Sequence, residues 1–253
     1  MDLNLAGLNA VVTGGSRGIG REIGRQLAGE GCNVATFGRG ETAVREAVAE
    51  YESLGVRAYG ATLQGRDGDA VRAWTRAAAE TLGGIDLVFA NLSAGGGTGS
   101  PGYWRRNFEI DMMSAVRTVE EAMPFLERSR APSILVMGSM ASAETFVGPM
   151  AYNGIKAALT IWAQQLAQQL APKGIRVNVV SPGPTLYEGS NWEMIRIARS
   201  RIFASAERRH PLKRMARPDE IARTAVFLAS PAASWCQGAN LLVDGGYSKR
   251  VPF

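Results

Sequence analysis

Two kinds of hydrophobic pattern alternate along the chain: short runs of apolar and β-branched residues, and longer stretches in which apolar positions recur every three or four residues. The short runs predict buried β-strands, and the longer stretches predict amphipathic helices. Strands are predicted at 9–13, 33–37, 56–61, 86–90, 133–137, 175–180 and 240–243. Helices are predicted at 19–28, 42–54, 70–82, 104–129, 150–170 and 219–228, with an irregular, arginine-rich segment before the last of them.

The alternation of strands with helices predicts the fold class. This order is typical of an α/β protein whose parallel sheet is covered by helices on both faces. Right-handed crossovers then favour a single Rossmann-like, doubly wound parallel sheet of about seven strands. Because no linker-like break in composition divides the chain, we expect residues 1–253 to form one domain.

The composition excludes several protein classes. With 46% hydrophobic and 20% charged residues, the 253-residue chain has the balance of a globular protein rather than a disordered one. No apolar run approaches the roughly 18 residues that span a bilayer, and the N-terminus lacks the pattern of a secretion signal. We therefore expect a cytoplasmic protein with no membrane partner. One histidine (His210) and two cysteines (Cys32 and Cys236) predict no metal site, and a net charge of +5 is too small to indicate nucleic-acid binding.

A glycine-rich segment, TGGSRGIG at 13–20, stands between the first predicted strand and the first predicted helix. At such a junction, glycines allow a tight turn and a close approach of backbone to phosphate, and the helix N-terminus offers free N–H groups to a pyrophosphate. We therefore predict a dinucleotide site, with a plain turn as the alternative. Its predicted cofactor-binding residues are Gly14, Ser16, Arg17, Gly18, Ile19 and Gly20.

The end of the second predicted strand indicates which dinucleotide binds. It runs into Gly38 and Arg39, with no carboxylate to hold the ribose 2′-hydroxyl of NAD. The planar guanidinium of Arg39 suits the 2′-phosphate of NADP instead, and Arg17 of the glycine loop can approach the same group. We predict NADP(H) as the cofactor. The alternative is that both arginines are merely exposed near a helix end.

Tyr152 and Lys156 lie four residues apart in a predicted helix, so their side chains share one face. A phenol is a poor acid or base at neutral pH, and a neighbouring ammonium favours its ionised form. A Tyr-x-x-x-Lys pair alone is more often an uninvolved surface pair. Here, however, Ser139 follows the strand 133–137 and offers a hydroxyl to a substrate carbonyl oxygen. The three residues together predict proton transfer to or from that oxygen.

Five motifs in this order resemble the classical short-chain dehydrogenase/reductase family over nearly the whole chain: TGGSRGIG at 13–20, Ser139, YNGIK at 152–156, NVVSPG at 178–183 and VDGG at 243–246. The resemblance implies hydride transfer between a nicotinamide and an alcohol or carbonyl carbon. It assigns carbonyl polarisation to Ser139 and acid/base catalysis to Tyr152, whereas Lys156 tunes Tyr152 and binds the nicotinamide ribose. By the same resemblance, further cofactor contacts come from Asn91, Pro182, Gly183 and the backbone of Thr185.

The resemblance also implies a homotetramer, formed through the long helices near 105–130 and 152–170, with residues 247–253 at another interface. The chain departs from the family's pattern at three places: residues 90–93 read ANLS where the family usually has NNAG, Thr62 replaces the aspartate that commonly meets the adenine, and one catalytic position differs. Where the family often has an asparagine that holds a proton-relay water, this chain has Asp111. Its backbone carbonyl can still hold that water, so Asp111 is counted with the catalytic candidates, but a carboxylate near Lys156 would weaken the effect of the ammonium on Tyr152.

The segment 187–214 is expected to form a lid over the substrate. It contains seven lysines and arginines against three acids, which is +4 of the chain's net charge of +5. Such a field attracts an anionic substrate, or an acyl group on an acidic carrier protein. Solvated arginines on an exposed lid are the commoner origin of this pattern. The predicted apolar inner face of the lid consists of Trp192, Met194, Ile195, Ile197, Ile202 and Phe203.

The leading hypothesis is an NADP(H)-dependent oxidoreductase that acts on a small-molecule ketone or secondary alcohol, as a carbonyl reductase or a 3-oxoacyl-reductase-like enzyme. Two alternatives stay open. One is an epimerase or dehydratase that uses a bound cofactor on the same fold, and the other is a non-catalytic NADP(H)-sensing protein. The glycine-rich loop 95–102 is expected to be either a flexible wall of the substrate cavity or a loose connector.

Overall fold

Seven parallel strands form one sheet in the computed structural model, which describes residues 1–96, 99–145 and 148–249. Across the sheet the strand order is β3-β2-β1-β4-β5-β6-β7, and every pairing is parallel. The strands are β1 (Asn9–Val12), β2 (Asn33–Gly38), β3 (Ala58–Thr62), β4 (Leu87–Ala90), β5 (Ser133–Met137), β6 (Arg176–Pro182) and β7 (Asn240–Val243). The predicted α/β fold with a Rossmann-like sheet of about seven strands is confirmed.

Helices connect the strands, and two of the connections differ from the prediction. The helices are α1 (Gly18–Gly29), α2 (Glu41–Ser53), α3 (Gly68–Leu82), α4 (Pro101–Asn107), α5 (Ser114–Leu126), α6 (Ala151–Leu170), α7 (Asn191–Ala198), α8 (Ser200–Arg209) and α9 (Pro218–Ala229). The helical stretch predicted at 104–129 is found at 101–126, but it is not one regular α-helix, because a π-helical segment, Phe108–Met113, joins α4 to α5. The segment predicted to be irregular before the last helix contains α7 and α8.

Both faces of the sheet are buried, because successive residues of a strand point to opposite sides. In β1, Val11 belongs to the core beneath α3, α5 and α6, whereas Val12 belongs to the core beneath α1, α2 and α9. In β4, Val88 belongs to the first of these cores and Phe89 to the second. A strand buried on both faces consists of a continuous apolar run, which is why the hydrophobic pattern located these strands well.

The site region follows from the strand order. From β1 the chain builds outward through β2 and β3 to one edge, whereas β4 lies on the other side of β1 and starts the second half of the sheet. In sheets of this kind, ligands bind in the crevice at the carboxyl ends of the strands, at the point where the order reverses. Here that point lies between β1 and β4, so the segments that follow β1, β4, β5 and β6 border one crevice.

Parts of two predicted features lie outside the described residues: positions 97 and 98 of the loop 95–102, and positions 250–253 of the C-terminal segment. In the ranges that are described, no helix combines the length and the apolar character needed to cross a bilayer. Nor do these ranges hold a group of three or more His, Cys, Asp or Glu side chains placed to bind a metal ion.

The two cysteines are free thiols that differ in environment. Cys32 is fully buried immediately before β2, at the end of that strand remote from the crevice, and burial raises the pKa of its thiol. Cys236 is half-buried. Because the thiolate is the reactive form, Cys32 is chemically protected in the folded protein.

Candidate active site

The glycine loop is tied to the end of β4 by a small hydrogen-bond network. The Thr13 hydroxyl accepts hydrogen bonds from the backbone N–H groups of Asn91 (2.9 Å) and Leu92 (3.0 Å). In the other direction, the Asn91 side-chain amide donates to the backbone carbonyls of Thr13 (3.0 Å) and Gly14 (3.3 Å). Asn91, which the resemblance placed beside the cofactor, thus holds the two central strands together at the crevice.

Two glycines of the loop are needed for different physical reasons. A Cβ at Gly20 would lie 2.4 Å from the side-chain nitrogen of Asn91 and 2.5 Å from the carbonyl oxygen of Gly14, so a larger residue would break the network just described. Gly18 has a φ of +56°, a left-handed conformation that other residues rarely adopt. The predicted glycine pattern therefore corresponds to real constraints on the backbone.

The N-terminus of α1 fits the pyrophosphate of a dinucleotide. The helix begins at Gly18, its N-cap residue Arg17 makes no side-chain capping hydrogen bond, and its first turn contains no acidic residue. The first N–H groups of an α-helix have no partner within the helix, and they carry the positive end of its dipole. An uncapped, glycine-lined helix start without nearby carboxylates is suited to an anion.

The two predicted phosphate-binding arginines have different surroundings. Arg39 is exposed directly after β2. Among the described residues, no carboxylate lies within ion-pair distance of either arginine. Arg17 is also exposed, but its guanidinium donates a hydrogen bond of 3.2 Å to the carbonyl of Gly189 in the lid. Arg39 is thus available to an anionic ligand, while Arg17 already has a contact within the chain.

Helix α6 and the end of β5 bring the predicted acid/base residues together. Tyr152 is half-buried in the first turn of α6, and Lys156 lies one turn further on and is only 2% exposed. The Lys156 ammonium is 5.8 Å from the centroid of the Tyr152 ring and donates a hydrogen bond of 2.8 Å to the carbonyl of Met137, the last residue of β5. No described residue forms a hydrogen bond with the Tyr152 hydroxyl.

Ser139 follows β5 by two residues and is 7% exposed. Its hydroxyl oxygen accepts a hydrogen bond of 3.1 Å from the backbone N–H of Ala141 and so caps the short 3₁₀ turn Met140–Ser142. A serine hydroxyl has one donor and two acceptor positions. Because the capping contact uses only an acceptor, the Ser139 proton remains available to a substrate oxygen.

Asp111 forms a buried ion pair with Lys156. The two side chains are almost fully inaccessible, and Oδ1 of Asp111 lies 3.4 Å from the lysine Nζ. The carboxylate also accepts hydrogen bonds of 2.7 Å from the Ser93 hydroxyl and from the backbone N–H of Ala94. Buried charges are tolerated when they are paired and hydrogen-bonded, and both conditions hold here.

The π-helical segment Phe108–Met113 presents this carboxylate. Single π turns inside α-helices are rare and occur frequently at functional sites. Sequence reasoning selected Asp111 and expected a carboxylate near Lys156, and the structure brings the two together. It did not identify Ser93, which fixes the loop after β4 to the Asp111 carboxylate. The departure from the family's pattern at 90–93 was the only sequence signal for this serine, and it does not reveal a role that depends on Asp111 from a different segment.

The turn after β6 lies at the same crevice. The Thr185 hydroxyl donates to the carbonyl of Gly183 (3.0 Å), and the backbone of Thr185 pairs with Ala216. A Cβ at Gly183 would approach the backbone of Asp244 to 2.7 Å, so the turn packs closely on the end of β7. Pro182, Gly183 and Thr185 therefore form a fixed border of the crevice, and their contact with a nicotinamide stays a prediction.

The lid corrects one prediction. Phe203 is buried, and Trp192 and Ile195 pack against it together with Ala206 and Met215. Met194, Ile197 and Ile202, by contrast, are 64%, 77% and 52% exposed. Helical spacing explains the difference, because positions 194 and 197 face away from the side of α7 that carries 192 and 195. Only Trp192, Ile195 and Phe203, half of the predicted apolar inner face, therefore point inward.

Comparison with known proteins gives matches over nearly the whole chain. A family model described as enoyl-(acyl carrier protein) reductase matches residues 14–248. Isoepoxydon dehydrogenase patN from Aspergillus clavatus is 39% identical over 249 residues, which are 96% of this chain and 95% of the relative.

Two solved structures are also similar to this chain over nearly its whole length. L-sorbose reductase from Gluconobacter frateurii, complexed with NADPH and L-sorbose, has a TM-score of 0.92 at 28% identity and covers 99% of this chain and 100% of its own. 7α-hydroxysteroid dehydrogenase, complexed with NADH and 7-oxo glycochenodeoxycholic acid, has a TM-score of 0.90 at 30% identity, with 97% and 96% covered.

Proposed function

The chain belongs to the short-chain dehydrogenase/reductase family, and from that premise we propose that it is an NADP(H)-dependent oxidoreductase. The proposed reaction moves a hydride between the nicotinamide and a small-molecule ketone or secondary alcohol, with ketone reduction as the direction in the cell. The observation that carries the proposal is the cluster at the end of β5, where a buried ammonium lies 5.8 Å from the ring of a tyrosine whose hydroxyl has no partner among the described residues.

Each residue of the cluster has a distinct proposed role. Tyr152 donates a proton to the carbonyl oxygen in reduction and takes it back in oxidation, since its hydroxyl is free to meet a substrate. Ser139 donates its remaining hydrogen bond to the same oxygen. Of the three N–H groups of Lys156, one is used by Met137 and one faces Asp111, which leaves one for a ribose hydroxyl. Asp111 fixes Lys156 in this position.

The cofactor is proposed to lie along the crevice. When bound, it supplies or accepts the hydride. The N-terminus of α1, with Gly14, Ser16, Gly18, Ile19 and Gly20, would hold the pyrophosphate, and Asn91, Pro182, Gly183 and Thr185 would border the nicotinamide. Arg39 would bind the 2′-phosphate; the sequence predicts the same role for Arg17, whose guanidinium is bonded to the lid at Gly189. The complex of the related L-sorbose reductase with NADPH supports this choice of dinucleotide, while the related complex with NADH makes Arg39 the residue to test.

The substrate is proposed to be a small oxygenated molecule that enters beneath the lid, residues 187–214. The names of the similar proteins refer to isoepoxydon, L-sorbose and a 7-oxo bile acid. The apolar cluster around Phe203 lies on the inner side of the lid, and the lid's arginines favour a substrate that carries a negative charge or is attached to an acidic carrier. We also propose that residues 1–253 form one domain.

A carbonyl panel with NADPH as the reductant tests the proposal. The panel contains a cyclic ketone, a ketose, an oxo-steroid acid and a 3-oxoacyl thioester, and both the nicotinamide absorbance and the products are measured. We expect at least one member to give an alcohol with one NADPH consumed per product. Isomerised or dehydrated product without net NADPH consumption would favour an epimerase or dehydratase. Tight NADPH binding without any product would favour a sensor.

The proposed assembly is a homotetramer. The long helices that the resemblance places at subunit interfaces expose apolar side chains, including Phe108 (45%) and Ile161 (56%). Exposed apolar patches on a folded protein are typical of contact surfaces. Light scattering is expected to give four times the mass of the chain, and a single species of 27.0 kDa would contradict the assembly without affecting the proposed chemistry.

A further inference from the structure

The first turn of the lid touches the glycine loop at two points. A Cβ on Gly18 would lie 2.4 Å from Cε2 and 2.6 Å from Cζ of Tyr187, so the phenol ring packs directly against the α-carbon of Gly18. Beside this contact, the Arg17 guanidinium donates to the carbonyl of Gly189. Both loop residues flank the start of α1, where the proposed function places the pyrophosphate.

The turn that carries these contacts is internally fixed. The Ser190 hydroxyl caps α7 by accepting from the N–H of Glu193 (3.0 Å), and it also accepts from the N–H of Tyr187 (3.3 Å). The N–H of Gly189 donates to the Glu193 carboxylate (2.6 Å). Tyr187 and Gly189 are therefore held to the N-terminus of α7, and a movement of this helix moves both contacts together.

The Tyr187 ring is half-buried against the glycine loop. Burial raises its pKa above the ordinary value; the nearby Arg17 opposes this effect, and Tyr152 adds to it. The phenol is therefore neutral at physiological pH and keeps its hydrogen-bond donor. In the described parts of the chain, no residue bonds to that hydroxyl, so the contact with Gly18 is made by the ring itself.

We propose that Tyr187 is a cofactor-retaining residue: its ring closes the lid on Gly18, the Arg17–Gly189 hydrogen bond secures the same turn, and the dinucleotide leaves only when both contacts open. This proposal rests on the proposed dinucleotide site at α1. A ligand whose pyrophosphate binds at the start of α1 lies next to the Tyr187 ring, so its departure requires this turn to move. The lid then acts on cofactor exchange as well as on the substrate.

The proposal also separates two roles for Arg17. If Arg17 binds the 2′-phosphate, its removal weakens NADPH and leaves NADH unchanged. If it tethers the lid, its removal speeds the release of both dinucleotides to the same extent, because the tether is remote from the 2′ position. We assign the tether to Arg17 and the 2′-phosphate contact to Arg39.

The experiment compares Tyr187→Ala, Tyr187→Phe, Arg17→Ala and the double variant with the wild type. Met194→Ala, which removes an exposed side chain from helix α7 of the same lid, is the matched control. Release of NADPH and of NADH is followed by stopped-flow fluorescence after displacement. Hydrogen–deuterium exchange of 191–209 is measured on the cofactor-free proteins, so one readout does not depend on a bound dinucleotide.

We expect Tyr187→Ala and Arg17→Ala each to release both dinucleotides about tenfold faster, since changes in affinity of this kind fall mainly on the dissociation rate. The double variant should release them only slightly faster than either single variant, because the two residues secure one turn. Exchange in 191–209 should be faster in the same variants, while Tyr187→Phe, which keeps the ring, and Met194→Ala should stay within about twofold of wild type.

Wild-type rates of release and exchange in Tyr187→Ala would overturn the proposal, as would an Arg17→Ala effect confined to NADPH. If Tyr187→Ala does not fold, Arg17→Ala decides the same question, because it leaves the packing of the lid unchanged. If the wild-type protein binds neither dinucleotide, the proposed function fails, whereas the exchange data still report on the contact between lid and loop.

Discussion

Two parts of the site differ in how firmly their residues are held. One is the wall of the crevice, by which we mean the predicted site residues on the glycine loop, after β2, β4, β5 and β6, in the π-helical segment and on α6. The other is the lid, residues 187–214. In the wall, Lys156, Asp111 and Ser139 are 2%, 1% and 7% exposed. Lys156 and Asp111 have hydrogen-bond or ion-pair partners from other segments, and Ser139 is held by the backbone N–H of Ala141 in its own turn. In the lid, α7 contains no buried residue, and Ile197 is 77% exposed. Proton transfer needs groups fixed to a fraction of an ångström, whereas a lid must open. Chemistry and access are therefore assigned to different parts of the fold.

The sharpest test of this division replaces the proposed acid/base in the wall. Tyr152→Phe removes one hydroxyl and leaves the packing intact, so turnover is expected to fall by about a thousandfold, or about 4 kcal/mol in activation free energy. The dissociation constant for NADPH should stay within about twofold, because the glycine loop and Arg39 are untouched. Stopped-flow turnover and fluorescence titration measure the two quantities. Tyr59→Phe, in β3, is the control. Substantial turnover by the Tyr152 variant would show that Tyr152 is not the acid/base of the reaction.

A second test asks whether Asp111 belongs to the structure of the wall. Asp111→Asn keeps the shape but removes the partner of a buried ammonium, so we expect a loss of about 3 kcal/mol in the free energy of unfolding. Because Tyr152 and Lys156 remain, turnover should fall by no more than about tenfold. Urea unfolding and steady-state kinetics separate these effects.

Glu109→Gln is the matched control for that variant. Glu109 lies in the same π-helical segment, but its 3.0 Å ion pair with Arg117 is partly exposed. Exposed pairs contribute less than about 1 kcal/mol, so this variant should be nearly as stable as the wild type. Equal losses in the free energy of unfolding would mean that the buried Asp111–Lys156 pair contributes no more to stability than the partly exposed pair of Glu109.

A third test concerns the exposed edge of the wall. Arg39→Ala should lower the ratio of kcat/KM for NADPH to that for NADH by about tenfold to a hundredfold, the range for a lost hydrogen bond to a charged group. Arg45→Ala, an exposed arginine of α2, removes the same charge at a nearby position. The two variants are compared with both dinucleotides at one ionic strength. An unchanged ratio for Arg39→Ala would exclude it from the 2′-phosphate site.

The wall was predictable from sequence and the lid was not, for physical reasons. Strands buried on both faces consist of apolar runs, and the glycine loop, Ser139, Tyr152 and Lys156 occur in fixed local patterns. The π turn at Asp111 escaped prediction because the extra residue hardly changes the hydrophobic spacing.

The lid helices are short, and the arginines between their apolar residues obscure the helical hydrophobic pattern in the sequence. One signal was nevertheless present, since Ser190 and Glu193 have the spacing of a capping box. The contact of Tyr187 with Gly18 joins segments far apart in sequence, which no local pattern records.

The smallest expected effect concerns the anchor where the lid joins α9. The Glu220 carboxylate accepts hydrogen bonds from Arg214 of the lid (2.7 and 2.6 Å) and from the backbone N–H of Arg217 (2.8 Å). The Arg214 guanidinium first, and then the Arg217 N–H, lower the pKa of Glu220 from 4.5 to about 2. Because the folded state favours the ionised form, this contribution to stability is complete above the unfolded pKa and is lost as the pH falls from 4.5 towards 2.

Glu220→Gln should therefore lower the melting temperature at pH 7 by only about 1–2 °C, since the pair is partly exposed to solvent. The difference from wild type should shrink as the pH is lowered from 4.5 towards 2, because the Glu220 carboxylate of the unfolded chain then becomes protonated while that of the folded protein is still ionised. Differential scanning calorimetry between pH 7 and pH 3 measures both trends, with Glu207→Gln in α8 as the control. A difference that grows at low pH would show that the ionised Glu220 carboxylate is not what anchors the lid.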